Sequence, residues 1–217
     1  MHYSLIIPIY NEERTLPQLI EDLDSLDNDR IEIIIIDDGS NDGTKDLLID
    51  KNKFVVERNK INLGKGASIL KGVELASNDN IILMDGDLEV DIDDVPNLII
   101  TYEKNKADVL AGVRWIDKSL YQDYEINAIG NFWINFLFNL LFKTNFNDVL
   151  CCVKILNLKK FKSLNIKSQG FNIEVETMAK LVLSKCIIEE KLIKYNRRTS
   201  QQGKKLKITD SCNIIWT

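Results

Sequence analysis

The segment Asp85-Gly86-Asp87-Leu88-Glu89 places three carboxylates close together in the chain. Carboxylate oxygens are ligands that Mg²⁺ and Mn²⁺ prefer, and because Gly86 has no side chain, Asp85 and Asp87 can turn towards one point. Asp-Gly is also a common turn dipeptide, and the spacing taken alone favours a solvated acidic turn. The choice between a metal site and a turn therefore depends on the elements that position the segment.

The acidic segment directly follows an apolar run, Ile81 to Met84, which predicts a strand buried on both faces. Two earlier apolar runs have the same character. Tyr3 to Ile7 leads into Pro8-Ile9-Tyr10-Asn11-Glu12, and Ile31 to Ile36 leads into Asp37-Asp38. Side chains that can do chemistry thus follow the ends of three predicted strands.

Helical patterns alternate with these strands. The first half of the chain predicts helices that Thr15 and Asp94 cap, helices that open at Gly43 and Asn62, and strands at 54–56 and 109–113. Such alternation favours an α/β fold with a central, mostly parallel sheet flanked by helices, in which ligands bind beyond the carboxyl ends of the strands. We therefore expect the polar residues after the strands to share one edge of the sheet: Pro8 to Glu12, Asp37, Asp38, Asp85, Asp87 and Arg114.

Acidic residues that meet on one edge repel each other unless a cation or hydrogen-bond donors are shared among them. A metal-bound ligand that contains phosphate meets this condition. A dinucleotide-binding fold would need Gly-x-Gly-x-x-Gly after the first strand, where this chain has Pro8 to Glu13, and the P-loop pattern is missing. A phosphoryl-receiver domain could use Asp37 and Asp38, but it leaves the segment at 85–89 without a role.

Composition limits the setting of this site. A chain of 217 residues, 45% hydrophobic and 28% charged, can bury one core, and we expect a single domain over residues 1–217. The net charge of −5 argues against a nucleic-acid binder. Because no charged leader precedes the first strand and no run of about 20 apolar residues exists, we expect a cytoplasmic protein. We expect its four cysteines to be reduced thiols.

Four segments, taken in this order and spacing, resemble the family 2 glycosyltransferases of the GT-A fold, and especially their dolichyl-phosphate mannosyl- and glucosyltransferase branch. They are Ile7-Pro8-Ile9-Tyr10-Asn11-Glu12-Glu13, Ile36-Asp37-Asp38-Gly39-Ser40-Asn41-Asp42-Gly43-Thr44, Asn62-Leu63-Gly64-Lys65-Gly66-Ala67 and Met84-Asp85-Gly86-Asp87. The resemblance extends from Ser4 to about Asp210. It implies an inverting, metal-dependent transfer of a sugar from a UDP- or GDP-sugar.

The resemblance also implies roles for individual residues. It assigns Asp85 and Asp87 to Mg²⁺ or Mn²⁺ on the diphosphate, with Glu89 as a further ligand and Asp87 as a catalytic residue. It places the nucleotide sugar in the half before residue 116, against Pro8, Tyr10, Glu12, Asp37, Asp38, Gly64, Lys65, Asp85, Gly86 and Arg114. In the half at 116–217 it implies a basic loop that closes over the diphosphate, in which Arg198 is catalytic and Lys205 binds the donor.

The acceptor side of the sequence leaves alternatives open. A polyprenyl phosphate needs no base because its oxygen is already ionised, whereas a saccharide hydroxyl would need Glu174, Glu176 or Asp148 as general base. The two glutamates open a predicted helix, where acidic residues also favour the helix dipole. Asn127 stands where the family has an arginine, and its neutrality speaks against a lipid phosphate.

An apolar helix is predicted at 129–143, with asparagines at 131, 135 and 139 on one face. It is interpreted as a core helix, or alternatively as a helix that meets a membrane surface or a partner. Two classes of function therefore remain. The chain is a glycosyltransferase acting on a polyprenyl phosphate or on a saccharide hydroxyl, or it is a non-catalytic protein that binds sugar nucleotides.

Overall fold

The computed structural model describes residues 1–26, 29–49, 53–115 and 126–198, with residues 126–129 described by their backbone alone. Lys205 and the side chain of Asn127, both considered above, lie outside the described part of the chain. The site roles assigned to these two positions stay predictions.

The described residues form strands and helices that alternate through the first half of the chain. Their bounds are β1 Tyr3–Ile9, α1 Leu16–Asp24, β2 Ile31–Asp37, α2 Thr44–Leu47, β3 Val55–Arg58, α3 Lys65–Leu75, β4 Asn80–Leu83, α4 Asp94–Lys104, β5 Val109–Val113, α5 Ile126–Phe142, β6 Lys154–Asn157, α6 Leu158–Ser163, α7 Ile173–Leu183 and β7 Ile188–Leu192. The predicted α/β class is confirmed.

The strands form one sheet in the order β3-β2-β1-β4-β6-β5-β7. β1 is parallel to β2 and β4, β2 is parallel to β3, and β5 is parallel to β7. β6 alone among these strands runs antiparallel, and it pairs with β4 and β5. The sheet is thus mostly parallel, as predicted, and the ends of β1, β2, β4 and β5 share one edge.

Apolar side chains cover both faces of this sheet. Ile7 and Ile35 belong to one buried cluster with the helices α1 and α4, whereas Ile6 and Ile34 belong to a second cluster with α3 and α7. Strands covered on both faces need apolar residues at every position, which explains the nearly continuous isoleucine run of β2.

Some local predictions differ from the structure. Thr15 occupies the N-cap position of α1, as predicted, but its hydroxyl donates to the carboxylate of Glu12 at 2.5 Å and makes no capping hydrogen bond. Asp94 is the first residue of α4, and Asp93 occupies the N-cap position. The strands β6 and β7 are missing from the predicted elements because they are short and carry charged residues, Lys154 in β6 and Glu189 to Lys191 in β7.

α5 turns its asparagines towards the protein and much of its apolar surface outwards. The side-chain amides of Asn135 and Asn139 both donate to the carbonyl oxygen of Phe146, at 2.9 and 2.8 Å. Ile134 and Phe138 are buried, so the core-helix interpretation describes one side of α5. The other side exposes large apolar residues, namely Phe132, Trp133, Phe136, Leu137, Leu140 and Leu141. None of the helices in the described part of the chain has the length and hydropathy that crossing a membrane requires.

Glu176 fixes the segment before α7, and its titration predicts a pH-dependent stability. Its carboxylate accepts from the backbone N–H groups of Lys167 and Ser168 and pairs with Lys180 at 2.6 Å. Burial alone would raise the pKa of Glu176, but these donors lower it from 4.5 to about 2. Because the folded pKa lies below the unfolded one, the stabilisation is complete above pH 4.5 and disappears as the pH falls towards 2.

We expect Glu176→Gln to lower the free energy of unfolding by about 1 to 2 kcal/mol near neutral pH, with a difference that shrinks as the carboxylate protonates. Urea titrations of both proteins between neutral and acidic pH measure this difference. Glu74→Gln, at an exposed position of α3, is the matched control and should change little. A difference that stays constant down to acidic pH would contradict the assignment.

Candidate functional site

A cavity of about 330 Å³ opens at the edge of the sheet beyond β1, β2, β4 and β5. It brings together most of the residues that the sequence assigned to a site: Pro8, Tyr10, Glu12, Asp38, Gly64, Lys65, Asp85, Gly86, Asp87, Glu89, Arg114, Glu174 and Arg198. Asp37, Asp148 and Glu176 are described residues that do not line it. Side chains from both halves of the chain therefore meet at one opening.

Asp37 ends β2 and Asp38 follows it, and of the two only Asp38 lines the cavity. The carboxylate of Asp38 accepts from the backbone N–H groups of Leu63 and Gly64, at 2.9 and 2.8 Å. The carboxylate of Asp37 pairs with Arg58 at 2.9 Å. Asp38 thus fixes the loop that leads into α3, whose amino terminus faces the cavity and favours negative charge.

The acidic segment after β4 forms one wall of the cavity. Gly86 is required there by packing, because a Cβ atom at this position would lie 2.5 Å from Ile9 and 2.7 Å from Ile7. Asp85 and Asp87 flank this close contact with β1. Burial, together with the negative charges of Asp85 and Glu89, raises the pKa of Asp87 from 3.8 to about 7. The carboxylates of the wall therefore repel one another, and a cation beside Asp87 would favour its ionised form.

Closely spaced carboxylates of this kind suit a divalent cation that is bound by the protein and by the phosphates of a ligand at the same time. Within the described ranges, no group of three His, Cys, Asp or Glu side chains is arranged to hold a metal by itself. Mg²⁺ commonly takes one or two protein carboxylates and completes its coordination with substrate phosphates and water. Asp85 and Asp87 match this two-carboxylate arrangement. The oxygens of Glu89 accept from the hydroxyl of Tyr195 and the backbone N–H of Arg198.

A lysine stands opposite the acidic wall. Nζ of Lys65 lies 2.7 Å from carboxylate oxygens of both Asp85 and Glu174. Burial alone would lower the pKa of Lys65, but these two carboxylates hold it well above its usual value. Burial would likewise raise the pKa of Glu174, and the ammonium groups of Lys154 and Lys65 hold it below its usual value. Glu174 is therefore ionised within an ion-pair network.

Arg198 reaches the cavity from the C-terminal side of the described chain. Its guanidinium group makes three contacts of 3.0 to 3.2 Å with the carboxylate of Glu12. The segment that carries it is held against the acidic wall, because the backbone N–H of Asn196 donates to the carbonyl of Glu89 and Tyr195 forms a β-bridge with Val90. Arg198 and Glu12, which were both assigned to the nucleotide-sugar donor, thus bind each other in this structure.

Arg114 forms a second bidentate pair beside the cavity. Its Nε and terminal nitrogen donate to the carboxylate of Asp148, at 2.7 and 2.9 Å. The guanidinium carbon lies 4.5 Å from the ring centre of Trp115 and 5.4 Å from that of Tyr195. Asp148 is buried behind this pair, and it holds Arg114 in place at the cavity wall.

The cavity also includes residues that the sequence patterns did not identify. Asn131, Leu150, Cys152 and Phe171 line it, and Lys154 lies behind Glu174. Lys154 offers a signal in the sequence, since a lysine inside the apolar run Val153-Lys154-Ile155-Leu156 must find a partner if the run is buried. The positions of the other four depend on how α5, the segment before β6 and the segment before α7 pack against the sheet.

Comparisons with known proteins indicate the family to which this chain belongs. The model of the family described as glycosyl transferase family 2 matches residues 4–164. A dodecaprenyl-phosphate galacturonate synthase of Rhizobium johnstonii is 28% identical over 181 residues, which cover 78% of this chain and 52% of the relative. An undecaprenyl-phosphate 4-deoxy-4-formamido-L-arabinose transferase of Aeromonas hydrophila is 37% identical over 107 residues, which cover 44% of this chain and 32% of the relative. The chain thus spans about half of the first relative's length and about a third of the second's.

A solved structure of similar shape is glucosyl-3-phosphoglycerate synthase from Mycobacterium tuberculosis in complex with Mn²⁺, UDP and phosphoglyceric acid. It has a TM-score of 0.74 and 17% identity, and the match covers 99% of this chain and 76% of that protein. Similarity at this low identity supports the fold alone, and the expected GT-A fold is confirmed. Because the family model matches most of the chain, from the first strand into α6, this protein belongs to glycosyl transferase family 2.

Proposed function

We propose that this chain transfers a sugar from a nucleotide diphosphate sugar to a polyprenyl phosphate, with inversion at the anomeric carbon and with Mg²⁺ or Mn²⁺ at the donor diphosphate. One observation carries the proposal: the acidic wall, Lys65 and Arg198 line a single cavity at the carboxyl edge of the sheet. Residues before 116 supply most of the donor side, residues after it supply the acceptor side together with Arg198, and we treat residues 1–217 as one domain.

Asp85 and Asp87 would hold the metal, which neutralises charge on the diphosphate as it leaves. The crystal structure of similar fold that contains Mn²⁺ and UDP supports this choice of ligand. Glu89 stays a candidate third ligand; like Asp85, which contacts Lys65, it already has partners, Tyr195 and the backbone of Arg198. Either ion fits, since both prefer carboxylate and phosphate oxygens.

The roles of the other residues are inferred from the negative charge that develops on the leaving diphosphate. The acceptor oxygen forms a bond to the anomeric carbon while the bond to the donor phosphate breaks, and the nucleoside diphosphate leaves with that electron pair. Lys65 and the amino terminus of α3 stabilise the growing negative charge, and Arg198 binds the same phosphates after it leaves Glu12. Pro8, Tyr10 and Glu12 would contact the nucleoside at the end of β1.

Each candidate general base is already held in an ion pair, which favours a phosphate acceptor over a hydroxyl acceptor. Glu174 pairs with two lysines, Asp148 with Arg114 and Glu176 with Lys180. A carboxylate held by a cation is a weak proton acceptor, whereas a polyprenyl phosphate is already ionised. The two relatives named for dodecaprenyl and undecaprenyl phosphate support the same acceptor class. Transfer to a saccharide hydroxyl is the second candidate, and it would require one of these carboxylates to leave its ion pair.

The proposal is tested by mixing the chain with UDP- and GDP-sugars and with Mn²⁺ or Mg²⁺, and by measuring the release of nucleoside diphosphate with and without polyprenyl phosphate. We expect release that depends on the lipid phosphate. Release that depends instead on an added saccharide would establish the second candidate. Binding of a nucleotide sugar without release for any acceptor would favour the non-catalytic interpretation.

The exposed side of α5 supports a membrane contact for this acceptor. Asn131 lines the cavity, while Trp133, Leu140 and Leu141 further along α5 are 53%, 63% and 76% exposed. The described part of α5 from 130 to 142 contains no charged side chain, so its outer side can enter the headgroup region of a bilayer without desolvating an ion. We propose that this side contacts the membrane in which a polyprenyl phosphate is anchored.

We expect the double variant Trp133→Ser and Leu140→Ser to bind phospholipid vesicles that contain polyprenyl phosphate about tenfold more weakly, because two large apolar side chains no longer enter the lipid. Co-sedimentation measures the bound fraction. Leu183→Ser, at the exposed end of α7, is the matched control and should bind as the wild type does. If the wild type does not bind vesicles but forms a dimer, and the double variant does not form that dimer, the surface would instead bind a second copy of the chain.

A further inference from the structure

We propose that Lys154 and Glu174 form a positioning pair for Lys65 and hold its ammonium group at the donor diphosphate. The inference rests on the proposed function, because it presumes that a nucleotide diphosphate enters the cavity. This proposal gives a role to Lys154, which does not line the cavity. It also changes the role of Glu174 from a candidate general base to a residue that acts through Lys65.

The three residues form a continuous chain of ion pairs that ends at the acidic wall. Nζ of Lys154 lies 2.5 Å from Oε2 of Glu174, and Nζ of Lys65 lies 2.7 Å from Oε1 of the same carboxylate. Lys65 in turn contacts both carboxylate oxygens of Asp85, at 2.7 and 2.9 Å. Each oxygen of Glu174 therefore serves one lysine, and only one of these lysines faces the cavity.

The pair joins three elements that are distant in the chain. Lys154 begins β6, Glu174 lies in the first turn of α7 and Lys65 begins α3. The amino terminus of α3 also meets the segment before α7 through its backbone, since the N–H of Ala67 donates to the carbonyl of Gln169 at 3.0 Å. The ion pairs thus act on a lysine whose backbone is already fixed, and they determine the direction of its side chain.

Burial indicates that Lys154 serves Glu174 and no external ligand. Lys154 is 1% exposed, and its ammonium group also donates to the carbonyl oxygen of Cys151 at 2.5 Å. A buried ion pair contributes little to stability compared with apolar residues of similar volume. The presence of Lys154 in a core strand is therefore better explained by a role in orienting the carboxylate of Glu174 than by a contribution to stability.

The expected consequence is a weaker donor site when the pair is removed. Without Glu174, the ammonium group of Lys65 would keep Asp85 as its only carboxylate partner among these residues, and no second carboxylate would draw it towards the diphosphate side of the cavity. Lys65 would then be displaced from the diphosphate, and Asp85 would be less available to a cation. Both effects reduce the affinity for a nucleoside diphosphate. A general base, by contrast, would affect turnover and leave this affinity unchanged.

The test measures the affinity of the full chain for UDP and for GDP, each with Mn²⁺, by titration calorimetry. In the double variant Lys154→Met and Glu174→Gln both charges are removed together, so no buried ion of the pair is left without its partner. We expect its melting temperature to stay close to the wild-type value and its affinity for the nucleotide to fall about tenfold, the loss of one charge-assisted contact. Lys53→Met with Asp24→Asn, an exposed pair, is the matched control and should bind normally.

A double-mutant cycle shows whether the pair acts through Lys65. Lys65→Met should weaken binding by itself, and adding the two substitutions at 154 and 174 should weaken it little further. Additive losses, or wild-type affinity in the folded double variant, would overturn the inference while the donor site remains. If the wild-type chain binds neither UDP nor GDP, the proposed donor site itself is wrong, and the positioning pair falls with it. A single Glu174→Asp variant that recovers part of the affinity would support the positioning role.

Discussion

Asp87→Asn should lower the rate of nucleoside diphosphate release by about 10³-fold, because the amide removes one of the two charges that would hold the cation on the diphosphate. Stabilisation of the leaving group by a metal contributes several kcal/mol in the transition state. The asparagine can still accept the backbone N–H of Glu89, which Oδ1 of Asp87 accepts at 3.0 Å. The loss should therefore appear in turnover, with the fold preserved.

The measurement is the initial rate with donor, metal and polyprenyl phosphate at saturation, together with a titration of Mn²⁺. We expect the variant to need more Mn²⁺ for its residual rate. Asp93→Asn provides the matched control, since Asp93 is an exposed aspartate that precedes α4. Undiminished release by Asp87→Asn, at the metal concentration that the wild type requires, would contradict both the metal assignment and the catalytic proposal.

Arg198→Ala should lower the same rate by about 10² to 10³-fold, the usual effect of removing one preorganised donor from a developing charge. Its side chain is 10% exposed and its guanidinium group already lies in the cavity, bound to Glu12. A donor diphosphate would compete with that carboxylate for the guanidinium group. Arg198→Lys should recover only part of the rate, because an ammonium group does not reproduce the bidentate contact.

Single-turnover rates at saturating donor separate this effect from weaker binding. Arg197→Ala, which removes the neighbouring exposed arginine, is the matched control and should keep a rate near that of the wild type. If Arg198→Ala released nucleoside diphosphate at the wild-type rate, the contact with Glu12 would be structural, and the assignment of Arg198 to the diphosphate would be wrong.

Most of the site could be predicted from the sequence because it depends on strand ends. In a parallel sheet, the carboxyl ends of neighbouring strands reach the same edge, so residues that follow β1, β2 and β4 must meet there. Tyr10, Asp38 and Asp87 are separated by many residues in the chain but line one cavity. The apolar runs before them are strong signals, since a strand that is buried on both faces tolerates few polar side chains.

The elements in the second half of the chain are harder to predict, because some are short and others carry polar residues on the side that faces the protein. β7 reads Ile-Glu-Glu-Lys-Leu, a composition that does not distinguish a strand at the edge of the sheet from a loop. α5 has asparagines on one face, which normally marks the solvent side of a helix. Here Asn135 and Asn139 are turned inwards because they satisfy the backbone of the loop at 144–149.

The pattern of strands and helices in the sequence predicts the α/β class, the edge of the sheet where chemistry is possible, and the acidic side chains and Arg114 that follow the strands. Lys65 and Arg198 were added by the resemblance to the family. Only the tertiary structure decided how these charges pair. Glu12 binds Arg198 across 186 positions, and Glu174 holds Lys65 and Lys154 together. Spacing along a chain sets which residues share an edge or a helix face, whereas an ion pair depends on distances of a few ångströms between distant segments. For this reason the residues of the site could be named from the sequence, but their partners could not.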